Sequence, residues 1–388
     1  MKPSEHLWFV EGVAYDFTPF VDHHPGGRRL LMGARGLYDA TPLVRSYHAF
    51  KDLARVYSLL EACRYRGAIA PFKHALLPIR PYTFEETGLY QTLVRTVRAE
   101  YEVQTDVRSI MYGRLYLELV VLLVCFWYEY MYLCGLLCSL IGFSFWHDYE
   151  HGALGPPSNS LWERVLTLCS LGFDEDIWNL QHNIKHHAYT GVYGHDPDEG
   201  TWLRVPGLVL CTLSSLTQRL WYFRLPLYGK MWFLHDPGGL CLGRMLLYLV
   251  LPECLVWWKT ASWLAVVWYI VGKSQLNMLI VYGDHYMPAT TYATSRLYTE
   301  TTRAIDWGEA QVCVSANFGR GSRVVDWILG TNYQIEHHLF PALANVHLPH
   351  IAPIVRRICV ARGLHYDDRY SLPDIMRALV LHGVRWLA

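Results

Sequence analysis

The chemistry in this 388-residue chain is concentrated in its histidines, 19 in number, and their spacing is what carries information. Three clusters stand apart: His147-Asp148-Tyr149-Glu150-His151, His182-Asn183-Ile184-Lys185-His186-His187 and Gln334-Ile335-Glu336-His337-His338. Residues four apart share one face of a helix. His147 with His151, and His182 with His186, can therefore each serve one metal region, while His187 swings toward a neighbouring ion. Imidazole suits iron. The clusters hold two, three and two histidines, more than one ion needs, which argues for two irons. His285, in Tyr282-Gly283-Asp284-His285, either is placed to complete such a site or is an interfacial histidine satisfied by water. Gln334 could ligate through its amide oxygen or only hydrogen-bond a ligand or water. Asp148, Glu336 and Asp326 read as partners that fix imidazole tautomers, and Asp196 and Asp198 either do the same or are simply solvated.

The elements that must position these clusters are apolar. One greasy block runs from Leu115 to Trp146, too long for one membrane span of about 20 residues and suited to two spans joined by a tight turn. Glu129 is the expected turn, between Tyr128 and Tyr130, which suit an interfacial belt. A second block runs from about Gly239 to Tyr282 and divides near Trp257-Trp258-Lys259-Thr260. Four spans in two hairpins result. Each hairpin returns the chain to its starting side, so all three histidine clusters fall on one membrane face together with the N-terminus. MKPSEHLWFV lacks the apolar core of a secretory signal, which places that side in the cytosol. Lys273, Gln275 and Asn277, within the fourth span, either line the mouth of a substrate tunnel or mark the cytosolic end of that helix. Before the spans, Pro71, Pro78 and Pro81 mark a linker. Leu89, Tyr90, Leu93, Val94 and Val97 then recur at helical spacing, predicting an amphipathic helix that lies on the membrane surface or packs against the catalytic domain.

A separate pattern fills the N-terminal residues. His24-Pro25-Gly26-Gly27 is followed by Tyr38-Asp39-Ala40-Thr41 and by Arg45-Ser46-Tyr47-His48. Haem held by an imidazole on each face has a saturated iron that transfers electrons and does not bind oxygen, and Pro25 with its glycines allows the tight turn that aims an imidazole. With Val13-Ala14-Tyr15-Asp16-Phe17-Thr18-Pro19-Phe20 before it, this stretch closely resembles the cytochrome b5 family. The resemblance implies haem b with His24 and His48 as axial ligands, and reads His23 as a surface residue.

The histidine clusters, together with Gln334-Ile335-Glu336-His337-His338-Leu339-Phe340-Pro341, Tyr189-Thr190 and Asp196-Pro197-Asp198, resemble the membrane fatty acid desaturases, specifically the cytochrome b5-fused front-end group. The resemblance covers nearly the whole chain. It implies a mostly α fold, with a small α+β haem domain at 1–75, a linker and amphipathic helix at 76–110, and a four-span helical membrane di-iron domain with a cytosolic helical cap at 111–388. It also implies two iron ions held by His147, His151, His182, His186, His187, His337 and His338, and insertion of a cis double bond between an existing double bond and the carboxyl end of a long polyunsaturated acyl lipid. Two departures put substrate preference in doubt: the chain is short for this group, and Glu150 puts a charge inside the first cluster where many relatives carry a smaller or apolar residue.

An unactivated methylene C–H bond is beyond acid–base side chains and calls for an oxidant made from O2 at a metal, with electrons supplied from outside. No glycine-rich dinucleotide fingerprint occurs, so NADH enters through a separate cytochrome b5 reductase. The expected setting is the endoplasmic reticulum membrane, multi-pass, with haem and di-iron sites facing the cytosol. The competing readings are a desaturase of sphingolipid long-chain bases, a hydroxylase, and a non-catalytic membrane-anchored haem electron carrier. Composition excludes other classes. The chain is 52% hydrophobic and 18% charged, with zero formal net charge, so it lacks the basic footprint of nucleic-acid binding. Its ten cysteines form no CxxC pair, and Cys125, Cys134, Cys138, Cys241 and Cys254 sit in apolar runs, as reduced thiols do.

Overall fold

The computed structural model describes residues 1–37, 39–70, 82–104, 107–155, 162, 165–167, 175–192, 195–198, 240–300, 304–319 and 322–382. The expected proline-marked linker at 71–81 lies outside the described residues apart from its flanks, and Cys241 is described only as backbone.

The N-terminal unit starts with an antiparallel hairpin of β1 (Trp8–Val10) and β2 (Val13–Tyr15), with Trp8 opposite Tyr15. Its two-residue turn uses left-handed backbone at Glu11 (φ 53°) and Gly12 (φ 73°), the turn that matches strand twist. Three helices follow: α1 (Arg28–Gly33), α2 (Thr41–Tyr47) and α3 (Leu53–Ala62). Pro42 sits in the first turn of α2, where a missing N–H is harmless, and Asp52 caps α3 by accepting the Arg55 N–H. Trp8, Tyr15, Phe17, Leu37 and Leu43 form the core, joined by Ile184, Ala188 and Tyr189 from the second histidine segment. The haem-type unit is therefore packed onto the metal-bearing part of the chain.

β3 (Tyr82–Thr83) leads into α4 (Leu89–Glu100), where the expected apolar stripe is buried in full. Of the two settings the sequence allows, α4 takes the packed one: it lies in a common core with Trp307, Ile335, Phe340 and Ile351. β3 pairs in parallel with β4 (Ile305–Asp306).

The apolar blocks form helical hairpins. α5 (Arg108–Trp127) turns at Glu129 (φ 62°) into α6 (Met131–Ile141). α6 runs on through a π-helical turn, Gly142–Trp146, into α7 (His147–Glu150). After α8 (Glu175–Trp178), a π-helical segment Asn179–His186 passes into α9 (His187–Tyr189). α10 (Leu240–Thr260) and α11 (Trp263–Val281) are joined at Ala261 (φ 49°), and a further π-helical turn covers Tyr282–Tyr286. α6 and α11 approach closely because Gly135 and Gly272 face the opposite backbone: a Cβ on either would collide with the carbonyl of Tyr269 or Tyr132.

Lys259 Nζ lies 3.6 Å from the Glu129 carboxylate and over the Trp127 ring, so the two hairpin turns meet at one end. Trp127, Tyr128, Tyr130, Trp258 and Trp263 are exposed there, as residues of an interfacial belt are. Among the described residues, two helices are long and apolar enough to cross a membrane, Arg108–Trp127 and Trp263–Tyr286. Lys273 and Asn277 are buried, and Gln275 accepts from the Tyr132 hydroxyl at 2.5 Å. The remaining helices, α12 (Pro288–Glu300), α13 (Trp307–Val314), α14 (Arg323–Ile328), α15 (Gln334–Leu339), α16 (Leu348–Ala361) and α17 (Leu372–His382), complete a mostly helical chain.

Candidate metal centre

The three histidine segments and His285 converge at the end of the hairpins opposite their turns. The ligand atoms of His147, His151, His182 and His337 lie within 4.8 Å of one another, as do those of His186, His285 and His338. His187 stands between the two groups. Its ring stacks on His338 at 4.4 Å, and its Nε2 is 3.4 Å from His182 Nε2 and 3.2 Å from His337 Nε2. His147 Nε2 is 3.1 Å from His182 Nε2. Eight imidazoles thus form two adjacent clusters: His147 and His151 share one, as their spacing predicts, whereas His182 joins them and His186 goes to the other, so the expected pairing of His182 with His186 is split.

Local winding produces this convergence. Three of the histidine-bearing stretches adjoin or contain π-helical turns, a feature concentrated at functional sites. Hydrogen bonds from i to i+5 bring residues five apart toward one face, so His182 meets His187 while His186 serves the second cluster. In a regular α-helix His187 would be rotated away. On α15, neighbours point to different clusters, His337 to the first and His338 to the second. This six-residue helix is held by side chains more than by length: Asn317 accepts the Ile335 N–H at 2.9 Å, and Glu336 accepts from Asn317 at 2.7 Å and from Tyr366 at 2.8 Å. Burial pushes the Glu336 carboxyl up to about 7.

Four of the rings are gripped at the nitrogen facing away from their cluster. His186 Nδ1 lies 3.1 Å from both Asp196 carboxylate oxygens, His285 Nδ1 donates to the Val314 carbonyl at 2.9 Å, and His338 Nδ1 is 3.0 Å from Gln311 Oε1. His151 Nδ1 is 2.8 Å from the Tyr47 hydroxyl. The inward nitrogens of His151 and His338, both Nε2, are buried without a hydrogen-bond partner. Buried polar atoms are rarely left so, and imidazoles oriented by outer partners with Nε2 free are what a metal ion requires. The donor set therefore fits two iron ions. Burial holds His151, His182, His187, His337 and His338 well below the ordinary histidine value, and their neighbours' charge adds to the effect. His186 is the exception: burial lowers it, but the charge and hydrogen bond of Asp196 together with the charge of Asp198 outweigh that and raise it.

Of the carboxylates expected to orient imidazoles, Asp196 does so, Asp198 lies 3.4 Å from His186, and Asp148 lies 3.5 Å from His147 while capping the Asn345 N–H. Glu336 and Asp326 instead bind Asn317 with Tyr366, and Asn332, because their helices turn them from the cluster. Gln334 Nε2 lies 3.0 Å from His285 Nε2, at the second cluster. Sequence reasoning missed Tyr47, Gln311 and Val314, whose roles depend on contacts distant in the chain.

The N-terminal pocket has the corresponding fit. The His24 and His48 rings meet edge to face with centroids 6.2 Å apart, a separation at which both could serve one haem iron. Their Nδ1 atoms point to the carbonyls of Gly27 at 3.2 Å and Val44 at 2.8 Å, leaving both Nε2 atoms for haem. The glycines are required here: Gly27 has φ 89°, and a Cβ on Gly26 would lie 2.8 Å from His24 Cε1.

A haem-type pocket packed against two imidazole clusters at the ends of apolar helices defines a redox metalloenzyme with its own electron carrier. Residues 119–370 match the fatty acid desaturase family and residues 2–71 match the cytochrome b5-like haem/steroid binding domain. The chain belongs to the fatty acid desaturase family, with haem and a di-iron centre as its cofactors. It is 29% identical to acyl-lipid (7-3)-desaturase of Chlamydomonas reinhardtii, over 95% of this chain and 78% of that relative. It is 26% identical to fatty acid desaturase 3 of Homo sapiens (100% and 92%), and 24% identical to Delta(5) fatty acid desaturase A of Dictyostelium discoideum (96% and 88%).

Proposed function

We propose that this desaturase inserts a cis double bond on the carboxyl side of an existing one in long-chain polyunsaturated acyl lipids. The observation that carries the reading is the convergence of eight imidazoles into two clusters, with the outward nitrogens of His151, His186, His285 and His338 already held. The position of the new bond is supported by the relatives' names, which include Delta(5) and acyl-lipid (7-3) desaturases.

His147, His151, His182 and His337 would hold one iron, and His186, His285 and His338 the other, with His187 standing between the two groups. His285 Nε2 has a single lone pair, so it either binds iron or accepts from Gln334; the glutamine then hydrogen-bonds a ligand or water. Iron held there supplies an oxidant from O2. One O2, two electrons and two protons balance the removal of two hydrogens from the acyl chain and the release of two waters. Haem held by His24 and His48 would supply the electrons, drawn from NADH by way of a cytochrome b5 reductase. Domain limits of 1–75, 76–110 and 111–388 suit this division of labour. α5, α6 with its extension, α10 and α11 make the four spans, and the haem and di-iron sites share the cytosolic face of the endoplasmic reticulum membrane.

The test is expression in a yeast-like host that lacks polyunsaturated lipids, fed candidate acids, with double bonds mapped by mass spectrometry and His337→Ala alongside. The expected result is a new carboxyl-side double bond, absent from the variant. A changed sphingoid base or a hydroxylated chain would replace this reading with another.

A further inference from the structure

We infer that Tyr47 is the junction through which the haem of the N-terminal domain passes electrons to the paired irons. The inference rests on the cofactor assignment above and not on which lipid is desaturated.

Tyr47 ends α2 and immediately precedes His48, one of the two haem-facing histidines. Its ring reaches across the domain boundary to within 6.1 Å of the His151 ring, centroid to centroid. The hydroxyl lies 2.8 Å from His151 Nδ1 and donates to the Asn183 carbonyl at 3.4 Å. With its own hydrogen directed at Asn183, the phenol oxygen accepts from His151 Nδ1–H. That tautomer leaves His151 Nε2, buried and without another partner, for iron. The route from the His48 ring to the His151 ring then consists of covalent bonds through Tyr47 and one hydrogen bond. Asn183 lies inside the second histidine segment, so the hydroxyl touches two of the three metal-bearing segments.

The surrounding contacts hold this geometry. Arg29 pairs with Glu150 at 2.8 Å, Asn179 donates to the Arg29 carbonyl at 3.0 Å, and the Tyr189 hydroxyl donates to the Asp39 carbonyl at 2.7 Å. These bonds end on backbone or carboxylate, whereas Tyr47 ends on an imidazole of the cluster. Each transfer takes one electron from ferrous haem, leaving it ferric, and reduces one ferric ion of the pair to ferrous. Tyr47 keeps its proton throughout, so no other group is consumed.

The test is Tyr47→Phe in the full-length protein loaded with haem and iron. Flash photoreduction of the haem, without O2 or lipid, allows the loss of ferrous-haem absorbance to be followed as the electron leaves. The transfer should slow by about 10- to 100-fold, the range for losing the partner of a metal-bound histidine. Haem spectrum and haem potential should stay at their wild-type values, and because Tyr47 also orients His151 the two proteins are compared at equal iron occupancy, reached by raising the iron concentration during loading. Transfer at the wild-type rate would overturn the inference. So would a slowing that disappears once iron occupancy is matched, which would make Tyr47 only a prop for His151. Because no lipid is used, a wrong substrate assignment leaves this experiment unaffected, and a wrong cofactor assignment shows first as missing iron in the wild type.

Discussion

Arg29, from the first helix of the haem-type domain, is ion-paired at 2.8 Å with Glu150, the charged residue inside the first histidine segment. Glu150 has no exposed side-chain surface, and Arg29 has 13%. The acid that looks out of place in that segment thus has a purpose once the domains are docked. Arg29 also reaches Asp176 at 3.3 Å, so one guanidinium ties α1 to the elements carrying the first and second clusters.

Arg29→Met removes the cation and leaves a buried carboxylate behind. Breaking such a pair from one side costs about 3–5 kcal/mol, whereas replacing both partners with apolar residues is often neutral. The single variant should therefore lower the thermal midpoint, followed through the haem absorbance, and Arg29→Met with Glu150→Leu should recover most of the loss. A double variant as unstable as the single would show that the charge pair itself is not what joins the domains.

Asp196→Asn tests the outward grip on the second cluster. The carboxylate accepts from His186 and from the Gly191 N–H at 2.8 Å, so it fixes both the ring and the turn that follows it. An amide keeps the shape but presents a donor to one side. Iron affinity should fall by about 10- to 100-fold, read by chelator competition, with haem content unchanged. Gln311→Leu should act in the same direction on His338. Unchanged iron affinity in both would mean that ring orientation at this cluster comes from packing alone.

Much of this was legible in the sequence where the signal is local. The pairing of His147 with His151, the turn at Glu129 and the stripe of α4 all follow from short-range spacing, and each is found in place. What was not legible depends on winding or on distance. A π-helical segment at 179–186 has no residue signature, yet it decides where His187 points. Tyr47 and His151 are 104 residues apart, and Arg29 and Glu150 are 121 apart. Glu336 shows the opposite error. Its place beside His337 marks it as an imidazole partner, but one residue along a helix turns it to Asn317 and Tyr366.

Removing iron should make stability depend on acid. In the folded metal-free protein, burial holds His151, His182, His187, His337 and His338 well below 6.5, so they stay neutral, whereas unfolding restores the ordinary value. Below about pH 6.5 the unfolded chain then binds more protons, and stability falls as pH falls, by up to about 1.4 kcal/mol per pH unit for each such group. The loss should begin near the unfolded value and continue downward. A metal-free thermal midpoint that stays flat between about pH 7 and 5 would contradict these depressed values.

The final prediction concerns the contact that sets the hairpins together. At Gly135 and Gly272 the α6 and α11 backbones meet, and a Cβ on either would strike a carbonyl oxygen of the other helix, which is backbone and cannot rotate away. Ser139 adds a hydrogen bond to the Lys273 carbonyl at 2.8 Å, one turn further toward the histidines. Gly135→Ala or Gly272→Ala must push the helices apart, and overpacking of this kind costs about 1–3 kcal/mol. Because α6 runs unbroken into His147 and His151, and α11 into His285, the displacement should reach both clusters. The expected result is a lower unfolding midpoint in detergent together with reduced iron content, while haem bound by the N-terminal domain stays at the wild-type level. Gly113, on α5 with nothing within 4 Å of its Cβ position, is the control: Gly113→Ala should change neither quantity. If all three variants behave alike, close approach of α6 and α11 is not what holds the histidine-bearing ends in register.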